Sequence, residues 1–366
     1  MKRKKILVAV TSDIFSDMRV IKVSNYLTEK NQDVLVIGRK TSEFELKVPF
    51  KTKRFRLAFN RSFLFYLEYN LRFFFFSLFI SVDLILANDL DTLLACSLLA
   101  KIKRVPVIYD SHEYFTESVG LQGRERVRNV WVNLEETFLP KVSKAYTVSE
   151  SIASDYKEKY GIDFKLVRNF PSVSHFPVPK NEVFFPAKKV ILYQGVFNTN
   201  RGLEETIKAM TFLDDEFLFV LAGYGELEPV LKTLVHQLEL EKRVIFTGKL
   251  PYAEMMQYTY QAFVGIALEA PIGKSFEYSL PNKVFDYIHA SLPFISLGTP
   301  EVRKIIDKED VGIIIKDNQP QTIANAIISL SNDSVRYEQI KRNQQAVKQN
   351  YTWENETKVL DAVFFG

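Results

Sequence analysis

The chain has 366 residues, of which 47% are hydrophobic and 25% charged, with a formal net charge of +4. This composition is typical of a globular protein of about two domains. With only 14 glycines and 14 prolines, a collagen-like or low-complexity chain is excluded. The single cysteine, Cys96, excludes an intramolecular disulfide and is compatible with a reducing compartment.

The amino terminus has a basic start followed by a short apolar run. This run, Ile6–Val10, ends at Thr11 and is shorter than the ~7–15 residues of a signal-peptide core, so we interpret it as a buried first strand. The longest apolar run, Phe73–Ile80, is far shorter than the ~20 residues needed to span a bilayer. We therefore expect a cytoplasmic protein, either in solution or peripheral on the inner face of a membrane.

Short apolar runs alternate with amphipathic stretches in both halves of the chain, a pattern that predicts parallel α/β domains. An amphipathic helix over Asp17–Glu29 follows the first run. The strands predicted in the first half are Ile6–Val10, Val34–Gly38, Leu84–Ala87, Val107–Tyr109 and Ala145–Val148. Those predicted in the second half are Val190–Tyr193, Phe217–Ala222, Val244–Phe246, Val264–Ala267, Pro293–Ser296 and Gly312–Ile314.

Four prolines within residues 171–186 exclude a helix there and predict a linker between the two halves. Two doubly wound, Rossmann-like domains that face each other would place a ligand cleft at the carboxyl ends of both sheets. The predicted parts are a Rossmann-like domain over 1–172, a linker over 173–188, a second Rossmann-like domain over 189–350, and a final helix within 351–366 that crosses back to the first domain.

The first informative segment of the second half runs from a buried strand through Gly195 to Arg201 and Gly202, where an amphipathic helix begins. Free amide groups at a helix start attract an anion, and an arginine adds a forked set of donors. A plain surface loop with a solvated arginine is the alternative interpretation.

A second segment, Gly223-Tyr224-Gly225, also follows a predicted strand. Glycines allow the backbone to approach a ligand closely, but a tight turn between strand and helix explains the same pattern. The third glycine of a dinucleotide fingerprint is missing, which argues against an NAD-linked oxidoreductase.

The strongest candidate site is the helix start after Pro281. Asn282 is predicted to cap this helix, so the free amides of the first turn point outward. Lys283 adds a cation where those amides attract phosphate. Asp286 lies one turn further along the same face, within reach of ribose hydroxyls. An ordinary surface salt bridge between Lys283 and Asp286 is the alternative.

These segments resemble, in order and spacing, those of glycosyltransferase family 4, whose members are retaining enzymes of the GT-B fold. The resemblance covers nearly the whole chain. In the second half it rests on Gly195, Arg201-Gly202, Gly223-Tyr224-Gly225, Thr247-Gly248 and Leu280 to Tyr287. Elsewhere it rests on Asn88 to Thr92, Tyr109 to Glu113, Asn169 to Pro171 and Tyr351 to Glu354.

The resemblance implies a nucleoside diphosphate sugar as donor, retention of anomeric configuration, no required metal and no other cofactor. It places Arg201 and Lys283 on the diphosphate, Asp286 on the ribose, and His112 on the transferred sugar. A hydrogen-bonded structural histidine is the alternative for His112. Around the donor we expect Gly195, Gly223, Gly225 and Asn282. A sugar or lipid-linked acceptor is expected near Asp17, Arg19, His112 and Glu113.

The sequence departs from the family pattern at three places. Val196 stands where many members have an arginine, and Tyr278 stands where they have the first glutamate of a pair spaced by seven residues. The nearest acid, Glu277, is one residue out of register. The loop from Thr11 to Met18 lacks the usual pair of glycines.

Asp89-Leu90-Asp91 has the spacing of a metal-binding Asp-x-Asp motif, but that motif belongs to a different class of glycosyltransferases. Here it is predicted to cap the helix that follows the strand Leu84–Ala87. Because no cluster of histidine, cysteine and aspartate has metal-ligand spacing, we expect no metal.

Two other functions fit the same resemblance. A nucleotide-sugar epimerase would need an acid and a base from among His112, Glu113, His289 and Asp286. A non-catalytic nucleotide-sugar-binding protein is the other alternative, because the glutamate expected at position 278 is a tyrosine.

Basic and aromatic residues crowd the segment 47–80. Such a segment fits an anionic membrane surface or a lipid-linked acceptor, whereas no nucleic-acid partner is expected. A core helix with a solvated basic face is the alternative. The basic residues are Lys47, Lys51, Lys53, Arg54, Arg56, Arg61 and Arg72.

Overall fold

A computed structural model describes residues 3–173, 176–270 and 273–366. It divides the chain into two compact units, one formed by Met1–Asn169 with Thr357–Gly366 and the other by Phe170–Glu356. Ser174 and His175 of the predicted linker lie outside the described residues, as do the first two residues of the basic start.

The first unit contains a seven-stranded parallel sheet in the order β3-β2-β1-β4-β5-β6-β7. Its strands are β1 (Lys5–Asp13), β2 (Asp33–Arg39), β3 (Lys51–Phe55), β4 (Leu84–Asn88), β5 (Val107–Ser111), β6 (Lys144–Thr147) and β7 (Phe164–Leu166). Its helices are α1 (Met18–Glu29), α2 (Ser62–Leu78), α3 (Leu90–Lys103), α4 (Glu125–Phe138) and α5 (Glu150–Tyr160).

The second unit repeats this architecture with a six-stranded parallel sheet in the order β10-β9-β8-β11-β12-β13. Its strands are β8 (Lys189–Val196), β9 (Phe217–Tyr224), β10 (Val244–Phe246), β11 (Val264–Ala267), β12 (Phe294–Ser296) and β13 (Ile313–Ile314). Its helices are α6 (Leu203–Ala209), α7 (Glu228–Gln237), α8 (Tyr252–Gln261), α9 (Lys274–Glu277), α10 (Asn282–Ala290), α11 (Pro300–Glu309), α12 (Pro320–Asn332) and α13 (Ser334–Val347). A last helix, α14 (Trp353–Phe364), begins in the second unit and ends in the first.

Short 3₁₀ turns join several of these elements. They are Ile14–Ser16, Phe115–Glu117, Val119–Leu121, Leu139–Lys141, Met210–Phe212 and Lys348–Asn350. The part of α14 in the first unit is held there by the Tyr26 hydroxyl, which donates to Asp361 at 2.6 Å. In the second unit, the backbone amide of Trp353 donates to the Pro171 carbonyl at 2.9 Å.

Every strand predicted from the sequence overlaps an observed strand, and α1 begins one residue after the predicted helix. The central strands β4 and β5 are buried along their whole length, because helices cover both faces of a parallel sheet and such strands form continuous apolar runs. The prediction missed β3 and β7. β3, Lys-Thr-Lys-Arg-Phe, lies at a sheet edge with three exposed residues, so it lacks an apolar run.

The basic segment 47–80 is an edge strand, a loop and a helix, so the alternative of one core helix with a basic face is wrong. Arg54 lies inward, with its NH1 3.3 Å from Asp13. On α2 the water-exposed face is apolar rather than basic, and Arg72 on that face pairs with Glu68 at 2.7 Å. In the described ranges of the chain, no helix is both long and apolar enough to cross a membrane.

The predicted linker is packed along α8 where the structure describes it. The side chain of Gln257 accepts from the Lys180 amide at 2.7 Å, and that of Gln261 accepts from the Phe184 amide at 2.9 Å. The two glutamine side chains thus accept from backbone amides that are not paired within a strand or a helix.

In both sheets the strand order reverses beside the first strand of the unit, between β1 and β4 and between β8 and β11. Ligands of doubly wound sheets bind at the carboxyl ends of the strands at such a switch point. The loops that follow β1, β4, β5, β8 and β11 are therefore the places where functional side chains are expected.

Candidate functional site

In the first unit, Arg19 and Asp110 form a buried ion pair at the carboxyl edge of the sheet. The Arg19 Nε lies 3.0 Å from both carboxylate oxygens, and its NH2 lies 2.7 Å from Oδ1. The remaining nitrogen, NH1, donates to the Val167 carbonyl at 2.7 Å and to Asn169 at 2.9 Å. Every nitrogen of the Arg19 guanidinium thus has a protein partner, and the side chain anchors the end of the first unit.

His112 lies beside this pair and has acids at both ring nitrogens. Its Nε2 is 3.2 Å from Asp110 Oδ2 and from Asn88 Oδ1, and its Nδ1 is 3.3 Å from Asp89 Oδ2. Burial disfavours the charged ring, but Asp89 and Asp110 outweigh burial and raise the pKa of His112 to about 10. Burial would likewise raise the pKa of Asp110, yet Arg19 and His112 hold it below its ordinary value.

Asp89 occupies the N-cap position of α3, as predicted, but its side chain does not cap the helix. Its side chain makes no cap bond to α3; Oδ1 accepts from the backbone amide of His112 at 2.9 Å instead. The residue has a φ of +58°, a strained conformation for aspartate that costs about 1–3 kcal/mol. This backbone turns the carboxylate away from the helix amides and toward His112.

The other predicted acceptor-side residues are Asp17 and Glu113. Asp17 caps α1 by accepting from the Val20 amide at 3.1 Å, and Ser12 donates to its second oxygen at 2.9 Å. Glu113 is exposed just beyond β5. The structure therefore brings Arg19 and His112 together around Asp110, while Asp17 supports the start of α1.

In the second unit, Arg201 and Lys283 converge on Glu269, a residue that the sequence did not single out. The Lys283 Nζ is 2.7 Å and the Arg201 NH1 is 3.2 Å from the same oxygen, Oε1 of Glu269. Glu269 is 2% exposed, Lys283 9% and Arg201 25%, measured on the side chains. The face of the Tyr193 ring covers the ammonium of Lys283 at 3.9 Å.

This triad carries one net positive charge at the switch point of the second sheet. Arg201 follows β8, Glu269 follows β11, and Lys283 is the second residue of α10. Burial would raise the pKa of Glu269, but Lys283 and Arg201 outweigh burial and hold it below its ordinary value. The sequence did contain a signal for Glu269, because an acid that closely follows a buried parallel strand lies at the edge of the sheet where ligands bind.

Asp286 lies on α10 and has a protein partner at each carboxylate oxygen. Gln194 donates to Oδ2 at 2.7 Å, and the Tyr252 hydroxyl donates to Oδ1 at 2.8 Å. Thr259 orients the Gln194 amide by donating to its oxygen at 2.7 Å. The Gln194 and Tyr252 donors fix the orientation of the Asp286 carboxylate on α10. The alternative interpretation, a surface salt bridge between Lys283 and Asp286, is wrong, because Lys283 pairs with Glu269.

Asn282 is not the cap of α10, as the sequence had predicted. The cap residue is Pro281, with φ −64° and ψ 130°, and Asn282 is the first helical residue. The helix amides therefore have no side-chain cap at this end.

The three predicted glycines have a structural reason for being glycine. Gly195 has a φ of +133°, which L-residues rarely adopt. A Cβ on Gly223 would lie 1.8 Å from the Gly195 carbonyl oxygen, and one on Gly225 would lie 2.4 Å from the Phe197 oxygen. These glycines let the ends of β8 and β9 approach each other closely, and so they shape the loops that carry Arg201.

Two residues that depart from the family pattern, Val196 and Tyr278, lie in the second unit. Val196 is exposed at the end of β8, and Tyr278 directly follows the short helix α9.

His289, one of the candidates for acid-base chemistry, is bonded through Nε2 to the Tyr351 carbonyl at 2.8 Å, and burial lowers its pKa. Within the part of the chain that the structure describes, no group of three or more histidine, cysteine or acidic residues is arranged to hold a metal ion.

Two family models match this chain. "Glycosyltransferase Family 4" matches residues 18–171, and "Glycosyl transferases group 1" matches residues 178–347. These matches and the fold identify the chain as a glycosyltransferase. The chain belongs to glycosyltransferase family 4, as the motif resemblance predicted.

Two curated proteins are similar to parts of the chain. A chitobiosyldiphosphodolichol beta-mannosyltransferase of Yarrowia lipolytica is 22% identical over 45% of this chain and 36% of its own length. An amylovoran biosynthesis glycosyltransferase of Erwinia amylovora is 24% identical over 36% of this chain and 33% of its own length. The matches thus span about a third of each relative.

Solved structures share the fold along the whole chain. Sucrose-phosphate synthase from Thermosynechococcus elongatus has a TM-score of 0.81 at 17% identity and covers 99% of this chain and 98% of its own. Anabaena HepE, solved with UDP and glucose, has a TM-score of 0.76 at 16% identity and covers 99% of both chains. The predicted GT-B fold, with two Rossmann-like domains, is confirmed.

Proposed function

We propose that this protein transfers a sugar from a nucleoside diphosphate sugar to a hydroxyl group of a glycan or glycolipid acceptor, with retention of configuration and without a metal. The observation that carries the proposal is the convergence of Arg201 and Lys283 at the switch point of the second sheet. Two cations held this close suit a diphosphate, whose charges lie on neighbouring phosphorus atoms. The UDP bound to the similar HepE supports a nucleotide ligand.

The chemistry of the transfer requires stabilisation of the leaving diphosphate. Negative charge grows on the leaving oxygen as the glycosidic bond breaks, and Arg201 and Lys283 would offset it most strongly in the transition state. Asp286, one turn beyond Lys283 on α10, would accept from ribose hydroxyls. The retaining scheme favoured for this family has the acceptor attack from the face that the diphosphate leaves, so no protein nucleophile is invoked.

The acceptor side of the proposal uses the first unit. His112, held by acids on both ring nitrogens, would place a positive charge beside the transferred sugar rather than act as a neutral base. Arg19 would act indirectly, by positioning Asp110, which in turn contacts His112. The relatives that act in amylovoran and dolichol-linked glycan synthesis support a polysaccharide or glycolipid product.

A thermal-shift screen against UDP, GDP, dTDP, ADP and CMP sugars identifies the donor, because a tight ligand raises the melting temperature by mass action. The Arg201→Ala, Lys283→Ala double variant is then compared with the native chain. We expect loss of donor affinity and of transfer. Full turnover and affinity in the double variant would refute the assignment.

Product analysis with and without an acceptor separates the rival functions. A transferase consumes donor only when an acceptor is present, apart from slow hydrolysis. An epimerase, the function named for a similar Listeria monocytogenes structure with a TM-score of 0.65, converts the donor alone. Donor binding without either product favours a non-catalytic binding protein.

We further propose that the first unit docks on an anionic membrane surface through α2 and α3, from the cytoplasmic side. Exposed apolar side chains follow one face of α2 and continue onto α3: Phe63, Leu64, Leu67, Leu71, Phe75, Phe79, Leu98 and Ile102. Phe79 is 90% exposed. An apolar face bordered by cations fits the boundary between acyl chains and anionic headgroups.

The border of this face is positively charged. Lys53 lies 5.4 Å from the Phe76 ring centre, and Arg61 precedes α2. The acid on the face, Glu68, is neutralised by Arg72 and by the amides of two loop residues. Arg54 is excluded from the surface because it is buried against Asp13.

Co-sedimentation with vesicles that contain phosphatidylglycerol tests the docking. We expect binding at low salt that falls as ionic strength rises. It should be lost in a Phe63→Ser, Leu67→Ser, Phe75→Ser variant but kept in Val335→Ser, which removes an exposed apolar residue of the second unit. Failure of the native chain to sediment at low salt removes the proposal.

A further inference from the structure

Glu269 gives the candidate diphosphate site a carboxylate of its own. A single oxygen of this residue binds both cations, at 2.7 Å from Lys283 and 3.2 Å from Arg201. The side chain is 2% exposed, so water provides little screening of its charge. Without a bound ligand, the buried ammonium of Lys283 needs a counter-ion, and Glu269 supplies it.

A phosphate that binds the same two cations must approach Glu269. An oxygen within hydrogen-bonding distance of Lys283 Nζ would lie close to Glu269 Oε1, since that oxygen is only 2.7 Å from Nζ. Two anions at about 4–5 Å in a poorly solvated site repel each other. The ligand and Glu269 therefore compete for the same cations.

We propose that Glu269 is the resident counter-ion of the donor diphosphate, and that donor binding displaces it from Lys283 and Arg201. The inference rests on the proposed function, because it takes the diphosphate site as given. Displacement keeps the buried Lys283 paired in both states, first with Glu269 and then with phosphate. It also weakens the grip on the nucleoside diphosphate product, since Glu269 returns to the cations as the product leaves.

The groups that face Glu269 come from several elements. Arg201 approaches from the loop after β8 and Lys283 from the start of α10. Tyr287, also on α10, is a neutral phenol, because burial raises its pKa well above the ordinary value. Among these neighbours the two cations are the groups that a diphosphate can bind.

A purely orienting role predicts the opposite response to loss of the Glu269 charge. If Glu269 only positioned Arg201 and Lys283, Glu269→Gln would loosen them and weaken phosphate binding. If it competes with phosphate, the same change removes a repelling charge and strengthens binding. The apo protein loses stability in either case, because Lys283 loses its counter-ion.

The experiment measures the affinity for inorganic pyrophosphate by isothermal titration calorimetry, together with the melting temperature without ligand. For Glu269→Gln we expect a lower melting temperature and about tenfold tighter pyrophosphate binding, from removal of one nearby charge. Glu135→Gln is the matched control, since Glu135 is a fully buried glutamate of the first unit that also faces a lysine, Lys159 at 3.4 Å. It should leave the affinity unchanged.

Equal or weaker pyrophosphate binding by Glu269→Gln overturns the inference. If this variant does not fold, the Glu269→Gln, Lys283→Met double variant is compared with Lys283→Met alone, and the double variant should bind about tenfold tighter, because Glu269 still opposes phosphate at Arg201. Native protein that binds neither pyrophosphate nor any nucleotide sugar of the thermal-shift screen refutes the proposed function itself. Native binding that Lys283→Met weakens and Glu269→Gln does not strengthen refutes the resident counter-ion alone.

Discussion

Replacing Asp286 with asparagine tests the polar network that the second unit builds around its candidate ribose contact. The native carboxylate accepts from Gln194 at 2.7 Å and from Tyr252 at 2.8 Å. A hydrogen bond to a charged group contributes about 1.5–3 kcal/mol and one between neutral groups about 0.5–1.5 kcal/mol. The Asp286→Asn change therefore costs roughly 1 kcal/mol for each bond, or about 2 kcal/mol of unfolding free energy for the second unit.

Urea unfolding followed by tryptophan fluorescence measures this cost. The chain has two tryptophans, one in each unit, so a Trp131→Phe background leaves Trp353 as the reporter of the second unit. UDP affinity is measured in parallel and should fall about tenfold, because a ribose hydroxyl loses a charged acceptor. Asp215→Asn, at a side chain 92% exposed, is the control and should change neither quantity. An Asp286→Asn protein with native unfolding and native UDP affinity would refute the reasoning.

Two further predictions concern one residue in each unit. Burial disfavours the charged His112 ring, but its carboxylate partners raise its pKa to about 10. Because the pKa of histidine in the unfolded chain is about 6.5, the charged His112 stabilises the fold fully below that pH, and this stabilisation is lost as pH rises toward 10. His112→Asn should therefore flatten the fall of the urea midpoint with pH, measured by the fluorescence of Trp131. Gly223→Ala would place a Cβ 1.8 Å from the Gly195 carbonyl oxygen and should lower the free energy of unfolding by about 3 kcal/mol or more. In the control Gly120→Ala the new Cβ would have no atom within 4 Å, so this variant should have the melting temperature of the native chain. An unchanged pH slope, or equal melting of the two alanine variants, would contradict these expectations.

The sequence predicted the elements of the fold well because their signals are local. Parallel strands covered on both faces form apolar runs, and glycines and prolines mark their ends. β3 was missed because an edge strand with an exposed face lacks such a run. The side-chain caps predicted for Asp89 and Asn282 are not formed, because backbone conformation decides whether a side chain meets the helix amides. Asn282 is the first helical residue, and Asp89 occupies the N-cap position with a positive φ that turns its carboxylate toward His112.

The α/β architecture, the family, and the cations Arg201 and Lys283 as candidates for the diphosphate could all be derived from the sequence. The folded chain was needed to see that both cations bind Glu269, which lies 68 residues from Arg201 and 14 from Lys283. It was also needed to see that Arg19 anchors Asp110, 91 residues away. Side chains meet at the carboxyl edge according to which strands are neighbours in the sheet. That order is set by packing across the whole unit and leaves no local pattern in the sequence.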